Sequence, residues 1–99
     1  MNEPALWGMI GLARRAGRMQ IGRTAVKQAL ARKKALIVLL DEQTSENTRA
    51  EITGACLNAG VPMLLLPAGG LEKLLGEGRK CACVTDANFA SRIAQLYET

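Results

Sequence analysis

Residues 21–40 read IGRTAVKQALARKKALIVLL, and this stretch decides the fold because it joins an amphipathic helix to a buried strand. After Gly22, four apolar residues recur at the spacing of one helical face: Ala25, Val26, Ala29 and Leu30. Residues 35–40 are continuously apolar and rich in branched side chains. Their length and composition are typical of a strand that is covered on both faces of its sheet.

The segments on either side continue the alternation of helices and strands. A first helix is predicted over residues 4–16 behind the possible cap Asn2, and residues 18–21 form a small strand or an extended link. A third helix is predicted to end near Ala59, and the polar loop before it offers three candidate caps: Thr44, Ser45 and Asn47. Its inward residues are predicted to be Ile52, Cys56 and Ala59.

The C-terminal part begins at Gly60, which is predicted to end the third helix in a left-handed conformation. Residues 61–66 are predicted to form a second buried strand, residues 71–75 a short helix that Gly76 stops, and residues 81–85 a further strand. Asp86 caps a final helix with an apolar stripe of Phe89, Ile93, Leu96 and Tyr97. Together, these elements predict one domain over residues 1–99. Its fold class is α/β, a three-layer α-β-α sandwich with a small mixed sheet of about four strands.

The positive charge of the chain is concentrated at its N-terminal end. Residues 1–34 carry eight Lys and Arg side chains and a single acidic one, Glu3, which gives a net charge of +7, whereas residues 35–99 carry a net charge of −3. Such a polarised distribution favours an anionic partner, and nucleic acid is favoured over a membrane surface. A solvated basic surface with no partner is the alternative.

Several functional classes lack the residues that they require. The chain contains no His, and its three cysteines, Cys56, Cys81 and Cys83, have neither a disulfide framework nor the ligand set of a metal site. Asp41, Glu42 and Asp86 precede helices, where capping explains them better than acid–base catalysis. No apolar run approaches the ~18 residues of a membrane span, and no signal segment is present. We therefore expect no enzyme activity, cofactor, metal or membrane association, and we expect a monomer that resides in the cytoplasm.

The junction at Gly22 has the features of a phosphate-binding site. A helix N-terminus offers unpaired N–H groups and partial positive charge, and Arg23 and Lys27 add two full charges beside it. Gly22 would let an RNA backbone approach closely, and the polar side chains of Thr24 and Gln28 would reach base edges. An ordinary capped helix on a basic surface explains these residues too, but it leaves their clustering to chance.

Four segments of the chain carry a resemblance that covers nearly its whole length: AGRMQIGRTAVKQALARKKALIVLLDEQTSENT, NAGVPMLLLP, LEKLLG and VTDANFA. In this order they resemble the bacterial branch of the kink-turn RNA-binding ribosomal protein superfamily, which includes archaeal ribosomal protein L seven Ae and eukaryotic ribosomal protein L thirty e. The resemblance implies an α-β-α sandwich that binds kink-turn or related RNA without catalysis, in a ribosomal or ribosome-associated setting. RNA and ribosomal proteins are the partners that it implies.

The superfamily reads RNA through a G-x-N-E-x-x-K signature at the start of the second helix. Laid over this chain, its glycine falls on Gly22, while Thr24, Ala25 and Gln28 stand where the signature has Asn, Glu and Lys. Lys27 comes one position early. The second contact region implied by the resemblance is the loop before the last strand, where Arg79 and Lys80 would bind phosphates.

The predicted RNA-binding residues are therefore Arg18, Gly22, Arg23, Thr24, Ala25, Lys27, Gln28, Arg79 and Lys80, and Arg14 and Arg15 extend the basic surface. Because phosphate contacts dominate affinity, we expect RNA binding to persist while sequence preference weakens. The alternative is a protein-interaction module of the same fold, with its partner surface on the first helix around Trp7.

Overall fold

The computed structural model describes all 99 residues and contains five helices and four strands. In chain order they are α1 (Glu3–Arg15), β1 (Met19–Ile21), α2 (Arg23–Ala31), β2 (Ile37–Asp41), α3 (Glu46–Ala59), β3 (Met63–Leu66), α4 (Gly70–Leu75), β4 (Cys81–Val84) and α5 (Ala87–Glu98). No helix combines the length and the apolar composition that a bilayer span requires.

The four strands form one mixed sheet in the order β1-β4-β2-β3. Strands β2 and β3 run parallel, whereas β4 is antiparallel to both of its neighbours, β1 and β2. The carboxyl ends of β2 and β3 therefore lie at the same edge of the sheet as the beginning of β4. Because β1 is antiparallel to β4, the end of β1 and the start of α2 lie at this edge too.

Helices cover both faces of the sheet, which confirms the predicted three-layer sandwich. On one face, Ile37, Leu39, Ala82 and Val84 pack with buried residues of α1, α4 and α5. On the other face, Val38, Leu40, Cys81 and Cys83 pack with buried residues of α2 and α3. Successive side chains of β2 and β4 alternate between the two cores, as the strand period of two requires. Both strands are buried at every position, as an apolar strand in the middle of a sheet should be.

Two predictions about burial are wrong. Residues 61–66 are predicted to form a buried strand, but β3 is an edge strand, and only Leu66 is buried among its residues. Ala59 is exposed instead of inward, because α3 ends at this residue. The core contacts around it are made by Ala55 and Val61. Apolar composition alone does not distinguish an edge strand from a central one.

Three of the helices have a side-chain cap at their N-terminus. Asn2 accepts a hydrogen bond from the amide of Ala5 and Asp86 accepts one from the amide of Phe89, as predicted. Of the three candidates before α3, Ser45 is the cap and accepts from the amide of Thr48. Gly60 ends α3 in the left-handed region at φ 68°.

The three cysteines are free and buried. Burial raises the pKa of Cys81 to about 12, with a smaller effect from Cys83, and burial also raises the pKa of Cys83 to about 11. The thiols at these two positions therefore stay protonated at neutral pH and are poor nucleophiles. They serve as small apolar side chains on one face of β4.

The ring of Trp7 packs directly against Gly70 where α1 meets α4. A methyl group on Gly70 would lie 2.3 Å from two carbon atoms of the Trp7 ring, a separation that no packed structure tolerates. We expect Gly70→Ala to displace the ring and to destabilise the protein by about 1 kcal/mol or more. Trp7 is the only tryptophan, so its fluorescence reports the displacement directly.

Gly8→Ala is the matched control for this substitution. Its added methyl group meets nothing within 4 Å inside the helix α1, and we expect it to be neutral or stabilising by up to about 1 kcal/mol. Urea unfolding followed by Trp7 emission measures both variants. An unchanged emission spectrum and midpoint in Gly70→Ala would contradict the packing described.

Candidate nucleic-acid interface

The N-terminus of α2 is open. Its N-cap is Gly22, whose backbone has φ 99° and ψ 154°, and no side chain caps the first turn. The amide of Gly22 donates to the carbonyl of Cys81 at 2.8 Å, which fixes the start of α2 against the start of β4. By contrast, α1, α3 and α5 all have a side-chain cap. The first turn of α2 also holds no acidic residue, so its partial positive charge faces outward without a local counter-charge from its own helix.

The loop between α4 and β4 lies beside this helix start. Gly76 and Gly78 give the loop its positive φ angles of 114° and 78°, and the carboxylate of Glu72 accepts from the amide of Gly78 at 2.8 Å. The exposed Arg79 reaches back towards α2, and its Nη1 atom lies 3.8 Å from where a Cβ on Gly22 would stand. The two regions that the resemblance implies, the start of α2 and this loop, therefore meet in space.

Lys80 is held in place through its backbone. Its carbonyl accepts from the amide of Asp41 at 2.9 Å, and its side chain is half-buried. Lys80 thus stands at the same sheet edge as Gly22 and Arg79.

Arg23 and Lys27 face α3, where a single carboxylate binds both. The Oε1 atom of Glu51 lies 3.5 Å from Nε of Arg23 and 3.3 Å from Nζ of Lys27. These two are the only side-chain ion pairs in the protein, and both involve predicted site residues. Sequence reasoning missed Glu51, because it lies on another helix and no spacing rule connects it with α2.

The remaining predicted residues of α2 take no part in these ion pairs. Thr24 and Gln28 are exposed and Ala25 is half-buried. Ala25 and Gln28 line a depression of about 270 Å³ between α2 and β1, together with Gln20, Ala29, Arg32, Lys34 and Thr85. Ala25 and Gln28, which correspond to the signature's Glu and Lys, thus lie at a polar, basic surface beside the other edge strand, β1.

Arg18 lies at the opposite end of β1 from Gly22. It precedes β1, and its carbonyl accepts from the amide and the hydroxyl of Thr85, beyond the far end of β4. Gly22 follows β1 and bonds to Cys81 at the near end, so the two residues lie about 10 Å or more apart along the strand. Arg14 also has a structural partner, since its Nη1 donates to the carbonyl of Leu74 at 3.0 Å.

The acidic residues singled out in the sequence do not form one cluster. Asp41 is buried, and its two oxygens accept from the amides of Gln43 at 2.7 Å and Gly69 at 2.8 Å. Glu42 accepts from the amide of Ala68 at 3.2 Å. Asp41 and Glu42 therefore secure the loop before α4 and do not cap α3, whereas Asp86 caps α5 beyond the other end of β4. No group of three or more His, Cys, Asp or Glu residues is placed to hold a metal ion.

A groove of about 790 Å³ lies between the C-terminal halves of α2 and α3. Seven of its ten lining residues are apolar, and the polar ones are Lys27, Lys33 and Asn58. No Asp, Glu, His, Cys or Ser residue lies among the lining residues. On the opposite face of the sheet, Trp7 is half-buried against Gly70, so part of the surface that the alternative hypothesis assigns to a partner is covered by the protein itself.

No family model matches the chain. The chain is similar to two curated proteins named RNA-binding protein YlxQ. It is 32% identical over 92 residues to the protein from Bacillus subtilis, which covers 91% of this chain and 92% of the relative. It is 29% identical over 98 residues to the protein from Enterococcus faecium, which covers 98% of this chain and 95% of the relative.

Two solved structures share the fold. A protein of unknown function from Bacillus halodurans superposes with a TM-score of 0.89 at 23% identity, over 95% of this chain and 97% of its own. The 15.5kD RNA binding protein of Giardia lamblia superposes with a TM-score of 0.75 at 16% identity, over 94% of this chain and 84% of its own. At these identities the two structures show the shared fold, and the curated relatives support the RNA-binding superfamily that the sequence resembles.

Proposed function

We propose that this chain, which belongs to the family of the RNA-binding protein YlxQ, is a small RNA-binding protein without catalytic activity. The names of both curated relatives support RNA as the ligand. One observation carries the location of the site: the uncapped first turn of α2 lies against the Arg79 loop, so that backbone amides and a guanidinium converge on Gly22. An RNA phosphate is the ligand that such a combination suits.

The interface that we propose has two parts. Phosphates bind at the first turn of α2, with Arg23, Lys27, Arg79 and Lys80 around it. Bases lie along the outer side of α2, within reach of Thr24 and Gln28. Gly22 serves by having no side chain, because a Cβ there would stand between the phosphate and the backbone amides. Arg18 is distant from the phosphate-binding part, and its carbonyl accepts a hydrogen bond from Thr85, which lines the depression beside Gln28.

We extend the proposal to structured RNA of the kink-turn type in a ribosomal or ribosome-associated setting in the cytoplasm, with the protein acting as a monomer. The fold and the glycine at the start of α2 support the kink-turn part of this extension. The replacement of the signature's Asn, Glu and Lys by Thr24, Ala25 and Gln28 implies weaker discrimination between RNA sequences, since Ala25 cannot accept a hydrogen bond from a guanine edge. Phosphate contacts retain most of the affinity.

Salt titration tests the proposed function. If about four phosphates are neutralised at the interface, the logarithm of the affinity for a structured RNA falls with the logarithm of the salt concentration at a slope of about −3. Fluorescence anisotropy with a labelled kink-turn RNA measures the slope. A flat response, or no binding at low salt, contradicts the proposal and favours the protein-interaction module.

Restoring the signature tests the proposed register of the base readers. The triple variant Thr24→Asn, Ala25→Glu, Gln28→Lys adds one negative and one positive charge, so its net charge matches that of the unmodified protein. We expect roughly tenfold tighter binding to a kink-turn RNA, the gain from about one hydrogen bond to a charged group. The signature's Asn, Glu and Lys read the sheared G·A pairs of a kink-turn, so a control RNA with Watson–Crick pairs in their place should show no gain. Equal affinities of the variant and the unmodified protein for the kink-turn RNA would refute the register.

A further inference from the structure

We infer that Glu51 is a built-in competitor of RNA, whose carboxylate takes the place of a phosphate on Arg23 and Lys27 while the protein is free. This inference deepens the proposed function and rests on it. It assigns a role to a residue of α3 that lies outside the predicted interface and carries the opposite charge. Its consequence is that the RNA affinity of the protein is set partly by how easily this carboxylate is displaced.

The geometry places Glu51 where an anionic ligand would bind. Arg23 and Lys27 are four residues apart on α2, so their side chains lie on one face of the helix. Both nitrogens approach the same Oε1 atom, at 3.5 and 3.3 Å. One carboxylate oxygen between two cations, beside an uncapped helix start, is the arrangement that a phosphate oxygen would adopt there.

The ion pairs contribute little to folding. The side chains of Arg23, Lys27 and Glu51 are 56%, 43% and 43% exposed, and pairs in such positions are screened by water and salt. The two helices are already joined by their own apolar contacts, because Val26, Ala29 and Leu30 share a buried cluster with Ile52 and Cys56. The contacts of Glu51 are therefore available to be exchanged for contacts with a ligand at small cost in stability.

Competition by a tethered carboxylate also selects among anions. Because Glu51 is part of the same molecule, it competes at a high effective concentration with any phosphate from solution. A single phosphate therefore binds the two cations no better than this carboxylate does. A folded RNA presents several closely spaced phosphates that engage Arg23, Lys27 and Arg79 together, and their combined binding displaces the carboxylate. The competitor thus favours compact RNA over mononucleotides and free phosphate.

The experiment compares Glu51→Gln with Glu98→Gln in the full chain. Both variants remove one negative charge, but Glu98 has no ion-pair partner and ends α5, which packs on the other face of the sheet. Binding of a labelled kink-turn RNA is measured by fluorescence anisotropy over a range of salt concentrations. We expect roughly three- to tenfold tighter binding for Glu51→Gln at low salt and less than about twofold for Glu98→Gln. The difference should shrink as salt rises, because both charges are exposed.

Further variants separate local competition from a change in folding or in net charge. Glu51→Asp keeps the charge but shortens the side chain by one methylene, and we expect an intermediate gain from the loosened ion pairs. In the double variant Arg23→Gln, Lys27→Gln, adding Glu51→Gln should increase RNA affinity no more than adding Glu98→Gln does. Thermal unfolding checks that each variant is folded.

The outcomes are distinct. Equal affinities for Glu51→Gln and Glu98→Gln, or weaker binding of Glu51→Gln, would overturn the inference while leaving the proposed function in place. A gain that persists when Arg23 and Lys27 are replaced would overturn it as well. Absence of RNA binding by the unmodified protein would instead contradict the proposed function and, with it, this inference.

Discussion

The hydrogen bond between the Gly22 amide and the Cys81 carbonyl is the contact on which the candidate interface depends. It ties the start of α2 to the start of β4 and so brings the loop before β4 beside the helix N-terminus. The backbone at Gly22, with φ 99° and ψ 154°, lies in a region that other residues rarely adopt. A residue that supplies a side-chain cap is therefore excluded, and α2 begins with its first-turn amides open.

This opening is surrounded by charges of both signs. Arg79 stands over Gly22 from the loop, and Arg23 and Lys27 lie along the side of α2 that faces α3. The net charge of the first 34 residues suggests a uniformly basic surface, but Glu51 neutralises part of it at the place where binding is proposed. The strength of an electrostatic interface depends on such local partners more than on the summed charge of a segment.

Much of the fold was predictable from sequence because its signals are local. The apolar face of α2, the continuous apolar run of β2, the caps at Asn2 and Asp86 and the glycine that ends α3 each depend on neighbouring residues only. The position of a strand in the sheet is not local. β3 is as apolar as β2, yet it is an edge strand, and its four residues do not indicate which strands pair with it. The position of Asp41 likewise suggests a helix cap, but one of its two carboxylate oxygens binds the amide of Gly69, which lies 28 residues away.

The candidate site likewise has residues that local sequence identifies and residues that only the tertiary structure brings together or separates. The glycine and the charges of α2 were visible in the sequence, and the resemblance added the Arg79 loop. Pairing within the sheet then separated Arg18 from Gly22, and packing of α3 against α2 brought in Glu51. These two changes arise from tertiary structure, which moves residues that are close in sequence apart and joins residues that are distant in sequence.

The proposed interface is tested most directly by the change in backbone amide chemical shifts when a structured RNA is added to isotope-labelled protein. We predict that the largest changes fall on the start of α2, from Gly22 to Lys27, and on residues 76–80, because these residues lie at the proposed phosphate contacts. Changes confined to α1 and α5, on the other face of the sheet, would contradict the proposed interface. Absence of any change at saturating RNA would contradict RNA binding itself.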